Sequence, residues 1–194
     1  MGLREINATR TRALIASGAM DLFAERGFEA TTMEDVAVHV GIGTSTLYRY
    51  FPTKETLALA TLGDPSLMAE DVLARPDEEA LEVALGNAVL AFMAHVNEDE
   101  RQARQLGELL ETHHRVQARL MEWLGAANDA LVEALAERSG RPADDLHLRA
   151  MAWMAIFVLQ QIGAAGDGTR SPDLVAGDVM RALAEQPVLT PRLD

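Results

Sequence analysis

Residues 31–57 read TTMEDVAVHVGIGTSTLYRYFPTKETL, and the fold follows from how that stretch is punctuated. Thr31 precedes Glu34 by three positions, the spacing of a capping box, in which a hydroxyl and a carboxylate satisfy the free amides of a helix start. Val36, Ala37 and Val40 give the short helix an apolar face, and Gly41 can take the left-handed conformation that closes it. After a turn of two or three residues, a further helix runs from Thr44 to Tyr50. It ends there because Phe51 precedes Pro52, and a proline ring disfavours helical backbone in the residue before it. Two short helices joined by a tight glycine-containing turn make a helix-turn-helix. Upstream, Leu14, Ile15, Gly18, Ala19, Leu22 and Phe23 fall on one stripe of an earlier helix that Gly27 ends, with Phe28 folding back on it.

The Thr44–Tyr50 helix decides what such a domain does. Leu47 and Phe51, four apart, must face the core, which turns Ser45 and Arg49 outward with Thr46 and Tyr48 on the flanks. The outer face is therefore hydroxyl, guanidinium and phenol, and no carboxylate occurs from Thr44 to Lys54. Small side chains let a helix backbone approach a major groove, arginine pairs with guanine edges, and hydroxyls hold phosphates in register. Lys54, the only lysine of the chain, stands at the start of the next helix, where the macrodipole favours an anion over a cation. A DNA phosphate brought to that point would remove the conflict.

Composition limits the function classes. The 194 residues carry a formal charge of -13 and include no cysteine, which excludes disulfides, thiol catalysis and thiolate metal sites. The charge is uneven: residues 1–63 hold six basic and seven acidic side chains, residues 64–194 eleven and twenty-three. Repulsion keeps the acidic body off a polyanion and leaves the near-neutral opening third, with Arg4, Arg10 and Arg12 near its start, to approach one. The longest apolar run, AMAWMAIFVL at 150–159, has ten residues, about half of what crosses a bilayer, and the N-terminal segment lacks a signal-peptide core. A cytoplasmic protein, without cofactor or membrane partner, is expected.

Sustained period-2 alternation and Asn-Gly hairpin turns are missing, so the chain reads as all-α. A fourth helix begins near Pro52 and breaks or kinks at Gly63-Asp64-Pro65. Longer helices follow at roughly 77–96, 99–113, 115–138 and 143–165, and a last one at 172–185. The expected organisation is an N-terminal three-helix helix-turn-helix DNA-binding domain, residues 1–53, and a larger C-terminal helical ligand-binding and dimerisation domain, residues 54–194.

The ordered stretch from Thr31 to Leu57, its TLYRYFPTKETL portion above all, resembles the DNA-binding segment of the TetR family of bacterial transcriptional repressors. By position, the resemblance implies that Thr44, Ser45 and Tyr48 contact bases, while Thr31, Thr32, Thr46, Tyr50 and Lys54 contact phosphates. Arg49 shares the exposed face. Two positions depart from the family pattern: Gly43 stands where a serine cap is frequent, and Ser45 where glycine is frequent. The resemblance further implies a homodimer through the last two helices. The segment Ala150–Leu159 supports this independently, because it is apolar all round and no face of it can be left in water. A twofold dimer reads a roughly palindromic double-stranded operator. The family also implies a small-molecule effector held among the middle helices, whose binding lowers operator affinity. Phe92, Met93, His95, Trp123, Trp153, Phe157 and Gln160 are the candidate contacts, a mix that suits an apolar effector and equally suits plain core packing.

Two other readings use other residues. Glu111 with His114, and Asp144 with His147, have the carboxylate-x-x-His spacing of dinuclear metal sites in helix bundles, which would make an enzyme. Such sites use glutamate in both pairs and need further glutamates, whereas Asp144 and Asp145 suit the first turn of a helix, so neither metal nor catalysis is expected. The other is a helical ligand-binding module without DNA binding, against which the intact stretch around Lys54 argues.

Overall fold

The computed structural model describes residues 3–164 and 172–185, and every regular element among them is helical. In chain order these are α1 (Leu3–Arg26), α2 (Met33–Val40), α3 (Thr44–Tyr50), α4 (Lys54–Ala58), a 3-10 turn (Ala60–Leu62), α5 (Leu67–Ala74), α6 (Leu81–Val96), α7 (Glu100–Thr112), α8 (His114–Ser139), α9 (Leu146–Ala164) and α10 (Pro172–Glu185). The loop expected between α9 and α10 lies outside the described residues.

The chain divides into two compact units, residues 1–63 with 99–123, and residues 64–98 with 124–194. A sequential cut at 53/54 is therefore not where the units part: α4, α7 and the opening of α8 group with the helix-turn-helix. In the first unit, α1 packs on α2, α4 and α7. Ile15, Ala19, Leu22, Val36, Leu47 and Leu57 have no solvent exposure and form its core. Leu14, expected on the inner stripe, is 61% exposed. One residue of helix rotates about 100°, and a stripe centred on Ile15, Ala19 and Leu22 leaves Leu14 outside it. Gly18 sets the approach of α1 to α2, since a Cβ there would lie 2.7 Å from Val40 Cγ2. At the far end of this unit, the Trp123 indole N–H donates to the Gly63 carbonyl at 3.1 Å. Gly63 itself, at φ 70° and ψ -156°, holds a conformation open only to glycine.

In the second unit, α6 packs on α5, α9 and α10. It buries Ala84, Leu85, Ala88, Val89, Phe92 and Met93. Arg138, near the end of α8, donates to the carbonyls of Val72 (3.1 Å), Arg75 (2.9 Å) and Glu79 (3.1 Å). It thereby satisfies acceptors that the end of α5 leaves open. Helix α5 is absent from the sequence expectation, which ran straight from the Gly63-Asp64-Pro65 break to a helix at 77. The chain restarts earlier because Asp64 Oδ1 accepts both the amide (3.0 Å) and the hydroxyl (2.8 Å) of Ser66, a local turn that leads into a helix at Leu67. Pro76 to Ala80 then form a connection, so α6 begins at Leu81. On α9, Ala152, Ala155, Ile156 and Leu159 are buried, while Trp153 (54%), Met154 (41%) and Phe157 (42%) stay exposed on the single chain.

Candidate nucleic-acid interface

The start of α2 is capped one residue later than its spacing suggests. Thr32 is the N-cap, in extended backbone at φ -98° and ψ 163°. Its Oγ1 accepts the Asp35 amide at 3.1 Å, and Asp35 Oδ2 accepts the Thr32 hydroxyl (2.6 Å) and amide (2.9 Å). Those two bonds, the hydroxyl foremost, hold the Asp35 carboxyl below its ordinary range. The capping box is thus Thr32 with Asp35, not Thr31 with Glu34. Extended backbone at Thr32 sends neighbouring side chains to opposite sides, and Thr31 goes inward. It is 1% exposed, and its hydroxyl donates to the Gly27 carbonyl at 2.8 Å. That hydroxyl serves the end of α1 and is not presented to a phosphate.

Gly41, at φ 76°, ends α2 with its amide on the Ala37 and Val38 carbonyls. The turn delivers Gly43, which caps α3 through its carbonyl alone, accepting the amides of Thr46 (2.9 Å) and Leu47 (3.1 Å). Leu47 and Phe51 are buried at 0% and 3% exposure. This fixes the rotation of α3, so Ser45, Tyr48 and Arg49 are exposed and Thr44, Thr46 and Tyr50 half-buried at the edges.

What spacing does not reveal is how α3 is braced. The Arg12 guanidinium donates to the Tyr50 carbonyl at 3.2 Å and lies 5.2 Å above the Phe51 ring, while Arg49 lies 5.5 Å from the Tyr50 ring. Lys54 reaches back to the α1–α2 turn: Nζ donates to the carbonyls of Phe28 (2.6 Å) and Thr31 (3.1 Å) and sits 4.4 Å from the centre of the Phe28 ring. The sole lysine therefore already has negative ends of dipoles within the chain, and its ammonium bends away from the amides of α4. Two of its three donors are taken. The sequence carried hints of this brace in Arg12, noted as part of a basic cluster, and in Phe28, read as folding back on α1. A further contact joins α2 to α3, where the Tyr48 hydroxyl donates to Glu34 Oε1 at 3.4 Å.

The effector candidates are divided between the two units. Phe92 and Met93 are buried in the interior of the second unit, and His95 is exposed near the end of α6 with Nδ1 3.9 Å from Glu98. Trp123 belongs to the first unit. Trp153, Phe157 and Gln160 are spaced by four and three residues on the outer side of α9, so they do not wall a cavity with Phe92. Helical period accounts for this placement: facing Ile156 inward turns Trp153 and Phe157 out. A cleft of about 400 Å³ does open in the first unit between α1 and α7, lined by Phe23, Ala24, Phe28, Glu108 and His113 among others and by none of the candidates.

Of the two carboxylate-x-x-His pairs, His114 and His147 stand at the starts of α8 and α9. His114 Nδ1 lies 3.0 Å from Gln117 Oε1, and Asp145 Oδ1 accepts the amides of His147 (2.9 Å) and Leu148 (3.3 Å) at the start of α9. Among the described residues no three His, Asp or Glu side chains gather where a metal could bind, and no helix is long and apolar enough to cross a membrane.

Comparison with known proteins gives this geometry a family. Residues 15–61 match the model of bacterial regulatory proteins of the tetR family, and residues 79–183 match the MftR C-terminal domain. A Mycobacterium tuberculosis protein named as the mycofactocin biosynthesis transcriptional regulator MftR is 27% identical over 146 residues, covering 74% of this chain and 73% of that one. A TetR-family regulator from Streptomyces coelicolor superposes with a TM-score of 0.59 at 23% identity, covering 90% of this chain and 93% of that chain. FadR from Bacillus subtilis, solved in complex with stearoyl-CoA, superposes with a TM-score of 0.59 at 19% identity, covering 89% and 97%. These two likenesses establish a common fold. With the N-terminal match centred on the helix-turn-helix and the C-terminal match spanning more than half of the residues, the chain belongs to the TetR family of bacterial transcriptional regulators.

Proposed function

We propose that the protein is a dimeric repressor that reads an inverted-repeat operator through α3 and releases it when a small effector with an apolar body binds in the second unit. The observation that carries the reading is the outer face of α3. Ser45, Tyr48 and Arg49 are exposed on a helix whose Leu47 is fully buried, and Thr44, Thr46 and Tyr50 flank them. Base edges would meet Ser45, Tyr48 and Arg49, and phosphates the flanking hydroxyls together with Thr32. Lys54 serves this face by clamping the turn behind it.

Dimerisation is supported by α9 and α10. Leu146, Trp153 and Phe157 form an exposed stripe on α9, and Leu174 is exposed on α10. Aromatic side chains of this size bury roughly 150–250 Å² each, so a second copy of the stripe is the natural cover. Two reading helices would then meet half-sites roughly 34–36 Å apart. The stearoyl-CoA bound by the structural neighbour FadR supports an effector with an apolar body. An effector favouring a geometry unsuited to the operator must weaken DNA binding by the coupling energy, typically ~1–3 kcal/mol.

Titrating the protein against DNA from upstream of its own gene, at several salt concentrations and with random competitor, tests the proposal. A sequence-specific complex whose affinity falls steeply with salt is expected. Equal binding to competitor would contradict it.

A further inference from the structure

From Thr44 to Lys54 the sequence has no carboxylate, yet the fold brings one to the edge of that face. Glu34, in the first turn of α2, is exposed, and its Oε1 accepts the Tyr48 hydroxyl at 3.4 Å. Its neighbour Asp35 is different, because the Thr32 hydroxyl and amide occupy it in capping. None of the ion pairs among the described residues involves Glu34. Glu34 thus faces the positive end of the α2 dipole without being its capping carboxylate, and although Arg26 lines the same surface cleft, no cation among the described residues lies within ion-pair distance of it.

A free carboxylate in this place works against a polyanion. In helix-turn-helix docking the first helix crosses the phosphate backbone, so a negative charge on it lowers affinity for every duplex alike. What a carboxylate offers in return is an acceptor without a donor. In the major groove its partner is the N4 amino group of cytosine: guanine and thymine present acceptors at the corresponding edge, and adenine sets its N6 amino group beside the N7 acceptor, which repels a second carboxylate oxygen. Tyr48 supplies the positioning: its phenol donates to Oε1 and leaves Oε2 open to a base.

We infer that Glu34 is a specificity-determining residue. Held by Tyr48, it accepts a hydrogen bond from cytosine N4 at one position of each half-site and penalises duplexes that lack it. The inference rests on the reading of α3 given above.

The test selects duplexes from a random library with wild-type protein, Glu34→Gln and Tyr48→Phe, sequences the bound fraction, and measures affinity for selected and random DNA. Wild type is expected to enrich an inverted repeat with cytosine at one position per half-site. In Glu34→Gln that position shifts to adenine, since glutamine pairs with adenine N6 and N7, while the other positions keep their preferences. The ratio of specific to random affinity falls by about 5-fold, the low end of the discrimination of a base contact, because one hydrogen bond and not a bidentate pair is lost. Tyr48→Phe keeps the cytosine but with weaker enrichment, and separately alters the preference at the base that Tyr48 itself meets. Unchanged base preferences in Glu34→Gln, with both affinities altered by one common factor, would make Glu34 a plain surface charge and overturn the inference. If wild type enriches nothing, the reading of α3 itself fails and this inference with it.

Discussion

Replacing Lys54 by methionine separates two roles for the same ammonium. The substitution keeps an apolar stem of similar length and removes the charge that bridges the Phe28 and Thr31 carbonyls at 2.6 and 3.1 Å. Hydrogen bonds to a charged group contribute about 1.5–3 kcal/mol each, and a cation over an aromatic ring adds about 0.5–1 kcal/mol. Ordering a lysine side chain costs up to about 2 kcal/mol, and the half-exposed setting lets water replace part of what is lost. A net destabilisation of about 2 kcal/mol remains, which in a protein of this size lowers Tm by about 4–8 °C. The assay pairs thermal unfolding by circular dichroism with the salt dependence of DNA binding. For a clamp, Tm falls and the slope of log K against log salt stays as in wild type. For a phosphate contact, Tm holds and the slope flattens by about one. An unchanged Tm with a flattened slope would refute the clamp.

Two further outcomes follow from packing and charge. Trp153→Glu places a carboxylate in the exposed stripe of α9, at a residue 54% exposed on the single chain; sedimentation should show monomers, with operator affinity reduced because two reading helices no longer bind together. Asp35 titrates below its ordinary value in the folded chain because of the Thr32 hydroxyl and amide. Its contribution is thus present above about pH 4 and lost as pH falls through the lower folded value. Asp35→Asn should lower Tm near neutral pH and show a smaller further loss on acidification than wild type, as followed by Tm measured against pH.

The helix-turn-helix was legible because its signals are local: Gly41 and Pro52 punctuate it, and Leu47 with Phe51 fix the rotation of α3. The register of the cap was not, since Thr-x-x-Glu and Thr-x-x-Asp overlap at 31–35 and only the inward turn of Thr31 chooses between them. The brace around α3 was beyond reach for a different reason. Arg12 lies 38 residues from Tyr50, and Lys54 lies 26 from Phe28, separations at which spacing carries no information. For α9 the sequence shows a helix segment apolar all round but not which side meets the core, so Trp153 and Phe157 were as plausible inside a pocket as on a dimer face. Ile156 and Ala155, both buried, mark the side that meets the core.

Ser45→Asp tests the role of α3 most directly. Ser45 is exposed in the first turn of a helix that has no acidic residue there, so an aspartate suits the helix dipole and folding should be unharmed. Facing phosphates and base acceptors, the same carboxylate should abolish the sequence-specific complex while Tm stays equal to wild type or rises. Binding of the upstream DNA with wild-type affinity and salt slope would show that the face around Ser45 does not enter the duplex.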